Sequence, residues 1–218
     1  MKAWRKFDDI AALQHPRVRI TQGSLTNVDP DQRVATIKLS ESGQTEKDHY
    51  DFFIAATGLR RVWPVVPQSL TKEKYLAETA DHIECVTTAS HGTVVIGGGA
   101  VGIEMAAEAK LYHPNTSVKL VHSRSKLLSS EPLPDEVKDL ALEALRDAGV
   151  EVILSERVTS TTASIGPDGQ PLQRLTLQDG SHLLASQVIS AISRSVPTTS
   201  YLPKKALDSE GLVKIDSQ

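Results

Sequence analysis

Apolar positions along this chain fall into short strand-length runs and longer stretches at helical spacing. Val18-Arg19-Ile20-Thr21 alternates apolar with polar and is followed by Gly23. Val34-Ala35-Thr36-Ile37-Lys38-Leu39 lies between the turn residues Asp29-Pro30-Asp31 and Ser42-Gly43. Tyr50-Asp51-Phe52-Phe53-Ile54-Ala55-Ala56 is more continuously apolar, as buried strands are, and runs into Thr57-Gly58. Three such strands with turn signals between them predict a small antiparallel β-meander. Residues 60–91 carry Pro64 and Pro67 and then a mixed polar stretch. They read as a linker with one short helix over 72–79 and a domain boundary near Ser90-His91-Gly92.

From there strand and helix patterns alternate. Thr93-Val94-Val95-Ile96 is a short apolar strand, followed at once by Gly97-Gly98-Gly99-Ala100-Val101-Gly102. A helix runs on to about Tyr112, with Val101, Met105, Ala109 and Tyr112 at helical spacing, and Val118-Lys119-Leu120-Val121 is the next strand. Pro134-Asp135-Glu136 opens the clearest helix, with acids in its first turn, a stripe of Val137, Leu140, Ala141, Ala144, Leu145 and Ala148, and Gly149 as its stop. Residues 150–154 form a third strand. Strand and helix alternating in this order predict crossover units and a parallel sheet, an α/β fold. Strands over 157–164 and 172–177 flank the hairpin loop Gly166-Pro167-Asp168-Gly169, Asp179-Gly180 makes a second turn, and residues 187–192 form a final buried strand.

The 218 residues, net charge −3 and 39% hydrophobic content suffice for one large or two small cored domains. There is no basic footprint for nucleic acid, and aromatics at 4% do not supply base-stacking platforms. No apolar run reaches the roughly 20 residues of a membrane span, and no signal core follows the basic start Met1-Lys2-Ala3-Trp4-Arg5-Lys6. The lone Cys85 excludes an internal disulfide and a Cys-x-x-Cys pair, reads as a buried or linker residue, and points to a reducing, cytoplasmic setting. No metal ligands are assigned.

Gly97-x-Gly99-x-x-Gly102 places each glycine where a dinucleotide needs it. The first permits the tight strand-to-helix turn, the second lets backbone approach a pyrophosphate, and the third lets the helix pack close to the strand. The helix start adds free N–H groups and a partial positive charge. Residues 93–192 are therefore a Rossmann-like domain expected to bind NADH or NADPH, against a ligand-free glycine turn as the plain alternative. The next strand ends in Val121-His122-Ser123-Arg124, without the acid that would bind an adenosine ribose. Arg124, with His122 and Ser123, favours a 2′-phosphate and NADPH, or is an ordinary surface arginine. Glu104 and Glu108 lie four apart on the glycine-turn helix. Glu104 is either a dipole-compensating acid near the helix start or a neighbour of the nicotinamide.

These segments resemble a known family. Val95-Ile96-Gly97-Gly98-Gly99-Ala100-Val101-Gly102-Ile103-Glu104-Met105-Ala106-Ala107-Glu108 is similar to the NAD(P)H segment of the pyridine nucleotide-disulfide oxidoreductases, in the apoptosis-inducing-factor-like, ferroptosis-suppressor branch that also occurs in fungi. Val118-Lys119-Leu120-Val121-His122-Ser123 resembles that branch's next strand, and residues 50–58 its Ala-Thr-Gly segment, which adds Thr57 and Gly58 as FAD-side contacts. The resemblance covers nearly the whole chain. It implies an NAD(P)H domain inserted within an FAD domain, with hydride passing through FAD to a quinone-like or other small acceptor. The implied division is a partial FAD domain over 1–88, the NAD(P)H domain over 89–200 and a return toward the FAD domain over 201–218. The family's own FAD glycine turn would precede residue 1, and its closing Gly-Asp segment would follow Leu212-Val213-Lys214-Ile215-Asp216. Ser193 stands where a second Thr-Gly-like turn has glycine. A middle slice of the FAD domain would expose apolar faces that a homodimer, another partner or a rearranged core would cover. A flavin-free nucleotide-binding module, or an enzyme repurposed for fungal secondary metabolism, is the alternative. His91, His122 and Glu104 are too generic to be assigned a catalytic role.

Overall fold

The computed structural model describes residues 5–60, 63–64, 66–69, 71–192 and 196–215. The chain forms two compact units, Met1–Arg60 with Ser195–Gln218, and Arg61–Arg194. In chain order the elements are β1 (Gly23–Asp29), β2 (Val34–Leu39), β3 (Thr45–His49), β4 (Leu59–Arg60), α1 (Lys72–Thr87), β5 (Thr93–Ile96), α2 (Ala100–Tyr112) and β6 (Val118–Val121). They continue with α3 (Asp135–Asp147), β7 (Glu151–Ile153), β8 (Val158–Ile165), β9 (Pro171–Leu177), β10 (His182–Ala185), β11 (Gln187–Ser190) and β12 (Val196–Pro197).

The larger unit is an α/β fold built on a parallel sheet in the order β11-β5-β6-β7. Strand alternation divides its side chains between two cores. On one face Val95, Val118, Leu120 and Ile189 meet Val86 of α1, Ala106 and Ala109 of α2 and Leu145 of α3. On the other, Val94 and Val121 meet Leu175, Leu177 and Ala185 from the antiparallel sheet β10-β9-β8. The strand order reverses between β5 and β11, a switch point whose crevice lies at the carboxyl ends of these strands.

The helices differ in detail from their apolar spacing. Against the sheet, α2 buries the small residues Gly102, Ala106 and Ala109, because close approach of helix to strand leaves no room for larger ones, and Tyr112 is exposed. Helix α3 fixes itself through Leu145 and leaves Val137 and Leu140 exposed. Its end is a Schellman motif: the Gly149 N–H donates to the Arg146 carbonyl (2.9 Å), the Val150 N–H to the Leu145 carbonyl (3.0 Å), and Gly149 takes the left-handed φ of 87°. The helix expected over 72–79 runs on to Thr87. The Thr71 hydroxyl caps its start by accepting from the Lys74 N–H (3.4 Å), and Val86 anchors its far end in the core. Cys85 is exposed on this helix, neither buried nor in a linker. Strand β10 adds a third member to the predicted hairpin.

The smaller unit contains the antiparallel sheet β1-β2-β3 and the ribbon β4-β12. A three-strand meander with residues 34–39 in the middle agrees with the sequence, but both outer strands are displaced. Asp29 Oδ1 accepts from the Asp31 and Gln32 N–H groups (3.0 and 2.9 Å), closing the first hairpin so that its leading strand is Gly23–Asp29 rather than 18–21. The third strand is the polar Thr45–His49, set by the tight turn after β2. The apolar run 50–56 forms no strand, and Phe52 and Ile54 are 92% and 88% exposed. No helix among the described residues is long and apolar enough to cross a membrane.

Candidate functional site

Strand β5 ends at Ile96, and the chain turns through three glycines into α2. The Gly97 N–H donates to the Val121 carbonyl (2.9 Å), tying the turn to the neighbouring strand end. A Cβ on Gly102 would stand 1.8 Å from the Gly97 carbonyl oxygen, so helix and turn touch at a point that admits only hydrogen. A Cβ on Gly99 would meet nothing within 4 Å, because that residue faces open space. Gly99 is also the capping residue of α2 and contributes no side-chain acceptor, which leaves the first-turn N–H groups free for an anion. The residues present thus fit a dinucleotide pyrophosphate: a cradle that a side chain at Gly99 would invade, beneath an uncapped helix start.

A cleft of about 580 Å³ lies over this turn. Gly97, Gly98, Gly99, Ala100 and Val101 line it from one side, and His122, Ser123 and Arg124 at the end of β6 from another. Gly102 sits beneath, in the helix–turn contact. Glu104 is exposed on α2 and is not among the cleft-lining residues. No acid stands in the first turn of α2, so Glu104 does not serve as the expected dipole-compensating residue. Ser193 lies outside the described residues.

His122 is occupied within the protein. Its Nδ1 accepts from the Gly98 N–H (3.1 Å), and its Nε2 lies 3.1 Å from Ser129 Oγ. The first contact fixes the tautomer, with the ring proton on Nε2 facing the serine. Burial pushes the imidazole below its ordinary value, the nearby Arg124 charge acts in the same direction, and a backbone hydrogen bond to Lys126 opposes them. The Leu128 N–H donates to the Gly98 carbonyl (2.8 Å), so the loop after β6 grips the middle glycine from both sides. Lys126 is paired with Asp135 (3.1 Å) and Asp139 (2.9 Å) of α3 and raised above the ordinary lysine value, chiefly by Asp139. The exposed cations lining the cleft are Arg124 and Arg157.

Two acids not singled out from the sequence also line the cleft, Glu131 and Glu156. Glu156 follows the third strand, not the second, so a search for an acid about 20 residues past the glycines passes over it. Thr57 and Gly58 belong to the smaller unit. There the Thr57 hydroxyl lies 2.9 Å from that of Tyr201, and the Thr198 hydroxyl donates to the Gly58 carbonyl (2.7 Å) beside the β4-β12 ribbon.

A family model described as pyridine nucleotide-disulphide oxidoreductase matches residues 4–218. An oxidoreductase, OXR1, of Ajellomyces capsulatus is 52% identical over 218 residues, covering 100% of this chain and 47% of the relative. Ferroptosis suppressor protein 1 of Taeniopygia guttata is 26% identical over 197 residues, covering 89% of this chain and 51% of the relative. The chain thus spans about half the length of these curated relatives. Among solved structures, the water-forming NADH oxidase of Lactobacillus brevis, bound to NADH, superposes with a TM-score of 0.61 at 20% identity, covering 82% of this chain and 38% of the oxidase. With the family model spanning nearly every residue, and with the parallel sheet and glycine turn in place, the chain belongs to the pyridine nucleotide-disulphide oxidoreductase family.

Proposed function

We propose that this chain is the nucleotide-handling portion of a flavin-linked NAD(P)H oxidoreductase. The observation that carries the reading is the open face of Gly99 beneath the uncapped start of α2, inside a cleft of dinucleotide size. The pyrophosphate would lie on the N–H groups there, with Gly97, Gly98, Ala100 and Val101 shaping the cradle. His122 braces that cradle through Gly98, while Ser123 and Arg124 face the adenosine end. Glu104 is the candidate at the nicotinamide end, by family resemblance. NAD(P)H supplies a hydride, FAD relays its electrons, and a quinone-like or other small molecule accepts them. Thr57 and Gly58 are the FAD-side residues of this reading. The lone Cys85 favours a reducing cytoplasmic setting.

A flavin-free nucleotide-binding module is the second reading, favoured by the Thr57 hydroxyl being engaged with Tyr201. The visible spectrum of the chain purified with excess FAD, followed by titration with NADH and NADPH, separates the two. A flavin band that bleaches supports the oxidoreductase. A colourless protein that still enhances nicotinamide fluorescence supports the module. Absence of both signals excludes a dinucleotide site.

A further inference from the structure

The glycine cleft contains a carboxylate that cradling a pyrophosphate does not use. The Glu156 side chain makes no hydrogen bond or ion pair with any described residue, and its Oε2 is enclosed without a partner. Enclosed polar atoms are nearly always paired, so an unpaired carboxylate oxygen in a ligand-sized cleft points to a missing donor.

The backbone brings this acid to a specific place. The His122 N–H donates to the Ile153 carbonyl (2.8 Å), the Glu156 N–H to the His122 carbonyl (3.1 Å) and the Ser155 N–H to the Arg124 carbonyl (3.0 Å). The chain leaving β7 is therefore joined to the chain leaving β6, with Ser155 at a left-handed φ of 60° making the bend. In dinucleotide folds of this kind the adenosine ribose is read at the end of the second strand. That strand end carries His122, Ser123 and Arg124 and no acid, and Glu156 arrives beside it from the neighbouring strand.

We propose that Glu156 is a specificity-determining residue: its carboxylate accepts hydrogen bonds from the adenosine ribose hydroxyls, so the cleft favours a dinucleotide without a 2′-phosphate, NADH over NADPH. The inference rests on the dinucleotide reading above and adds to it the choice between the two cofactors. Arg124 and Arg157 act in the opposite direction, since both line the cleft and would attract a phosphate. Both are exposed, so water and salt screen them. Glu156 is half-buried with one oxygen enclosed, so its repulsion of a phosphate is screened less. Glu131 adds repulsion of the same sign but is exposed and screened like the two arginines. A 2′-hydroxyl supplies the donor that Glu156 lacks, whereas an ionised 2′-phosphate supplies none.

The test is calorimetric titration of the purified chain with NADH and with NADPH, for the native sequence, Glu156→Gln and Glu156→Ala. The native chain is expected to bind NADH about tenfold more tightly than NADPH, the scale of one charge-assisted hydrogen bond. Glu156→Ala is expected to lose that factor by weakening NADH while NADPH holds or gains. Glu156→Gln, which keeps one acceptor oxygen and the side-chain volume, is expected to fall between. A native preference for NADPH, or a ratio that neither substitution moves, overturns the proposal and leaves the dinucleotide site standing. Failure of the native chain to bind either nucleotide removes the site and the proposal together.

Discussion

Residues 93–96 and residues 50–56 are both apolar runs of strand length, and they meet opposite fates. Thr93, Val94 and Val95 are 1% exposed or less, with β11 on one side, β6 on the other, helices over one face and the antiparallel sheet β10-β9-β8 over the other. Residues 50–56 pair with no strand among the described residues, and Phe52 and Ile54 stand almost fully in solvent. Phe53 and Tyr50 are the residues of the run with ring contacts, Phe53 against Tyr50 and Tyr201, and the Tyr50 hydroxyl donates to the Asp29 carbonyl (3.3 Å). An apolar run announces a surface that gains from burial, but neighbours with free backbone groups and complementary side chains make it a strand. The polar segment Thr45–His49 makes the converse point, becoming a strand because a tight turn delivers it to β2.

The sharpest way to break the comparison is inside the well-packed unit. Gly102→Ala forces a methyl group onto the Gly97 carbonyl oxygen, and overpacking against backbone costs about 3 kcal/mol. Urea denaturation should show a large loss, and an unchanged midpoint would mean that helix and turn do not meet as described. Leu120→Ala, at a fully buried site, should cost about 3 kcal/mol by the same measurement. Phe52→Ser, at the exposed run, should lie within about 0.5 kcal/mol of the native chain. A large loss for Phe52→Ser would show that this run is covered in solution.

The same contrast explains what the sequence reveals and what it hides. The β5–α2–β6–α3–β7 alternation is legible because each element carries its own periodicity and the glycines mark the joint between strand and helix. The helical faces are harder to place. Spacing selects Val101, Met105, Ala109 and Tyr112; Ala109 is buried and Met105 packs against the core, but close contact also buries Gly102 and Ala106 and leaves Tyr112 exposed. The leading strand of the meander is displaced because side chain-to-backbone bonds at Asp29 close the first hairpin, and the third because a tight turn after β2 delivers Thr45–His49 to it. At the site, Gly97 to Val101 and His122 to Arg124 can be read as neighbours from fold logic alone. That His122 faces inward onto Gly98, and that Glu156 joins from another strand, depends on a side chain-to-backbone bond and on backbone bonds between loops, which no local pattern encodes.

Within the turn, two glycines three residues apart should respond differently. A Cβ at Gly99 meets no atom within 4 Å and the backbone φ of −80° suits any residue, so stability should hold in Gly99→Glu. Its side chain would occupy the phosphate position, and dinucleotide affinity should fall by roughly a hundredfold or more, the scale on which a blocked charged contact acts. Folded Gly99→Glu with native affinity would remove the turn from the site, whereas Gly102→Ala should lose stability first and affinity only as a consequence.

The smallest expected effect is a pH dependence traced to His122. Because burial lowers its folded-state value below the ordinary 6.5 or so, the unfolded chain binds the proton more readily. The imidazole's contribution is therefore complete above about pH 6.5 and is lost as pH falls through the folded-state value. Protonation also places an N–H on Nδ1, facing the Gly98 N–H that it now accepts, so the glycine turn should loosen in the same window. Melting temperatures at about pH 5 and about pH 7.5 should differ less in His122→Gln than in the native chain. His82, also lowered by burial but on α1 outside the cleft lining, contributes to stability with the same sign. His82→Gln should therefore reduce the pH dependence of melting but leave that of dinucleotide affinity intact. If His82→Gln removes both, the brace on Gly98 is not what titrates, and the pH response belongs to the helical side of the unit rather than to its cleft.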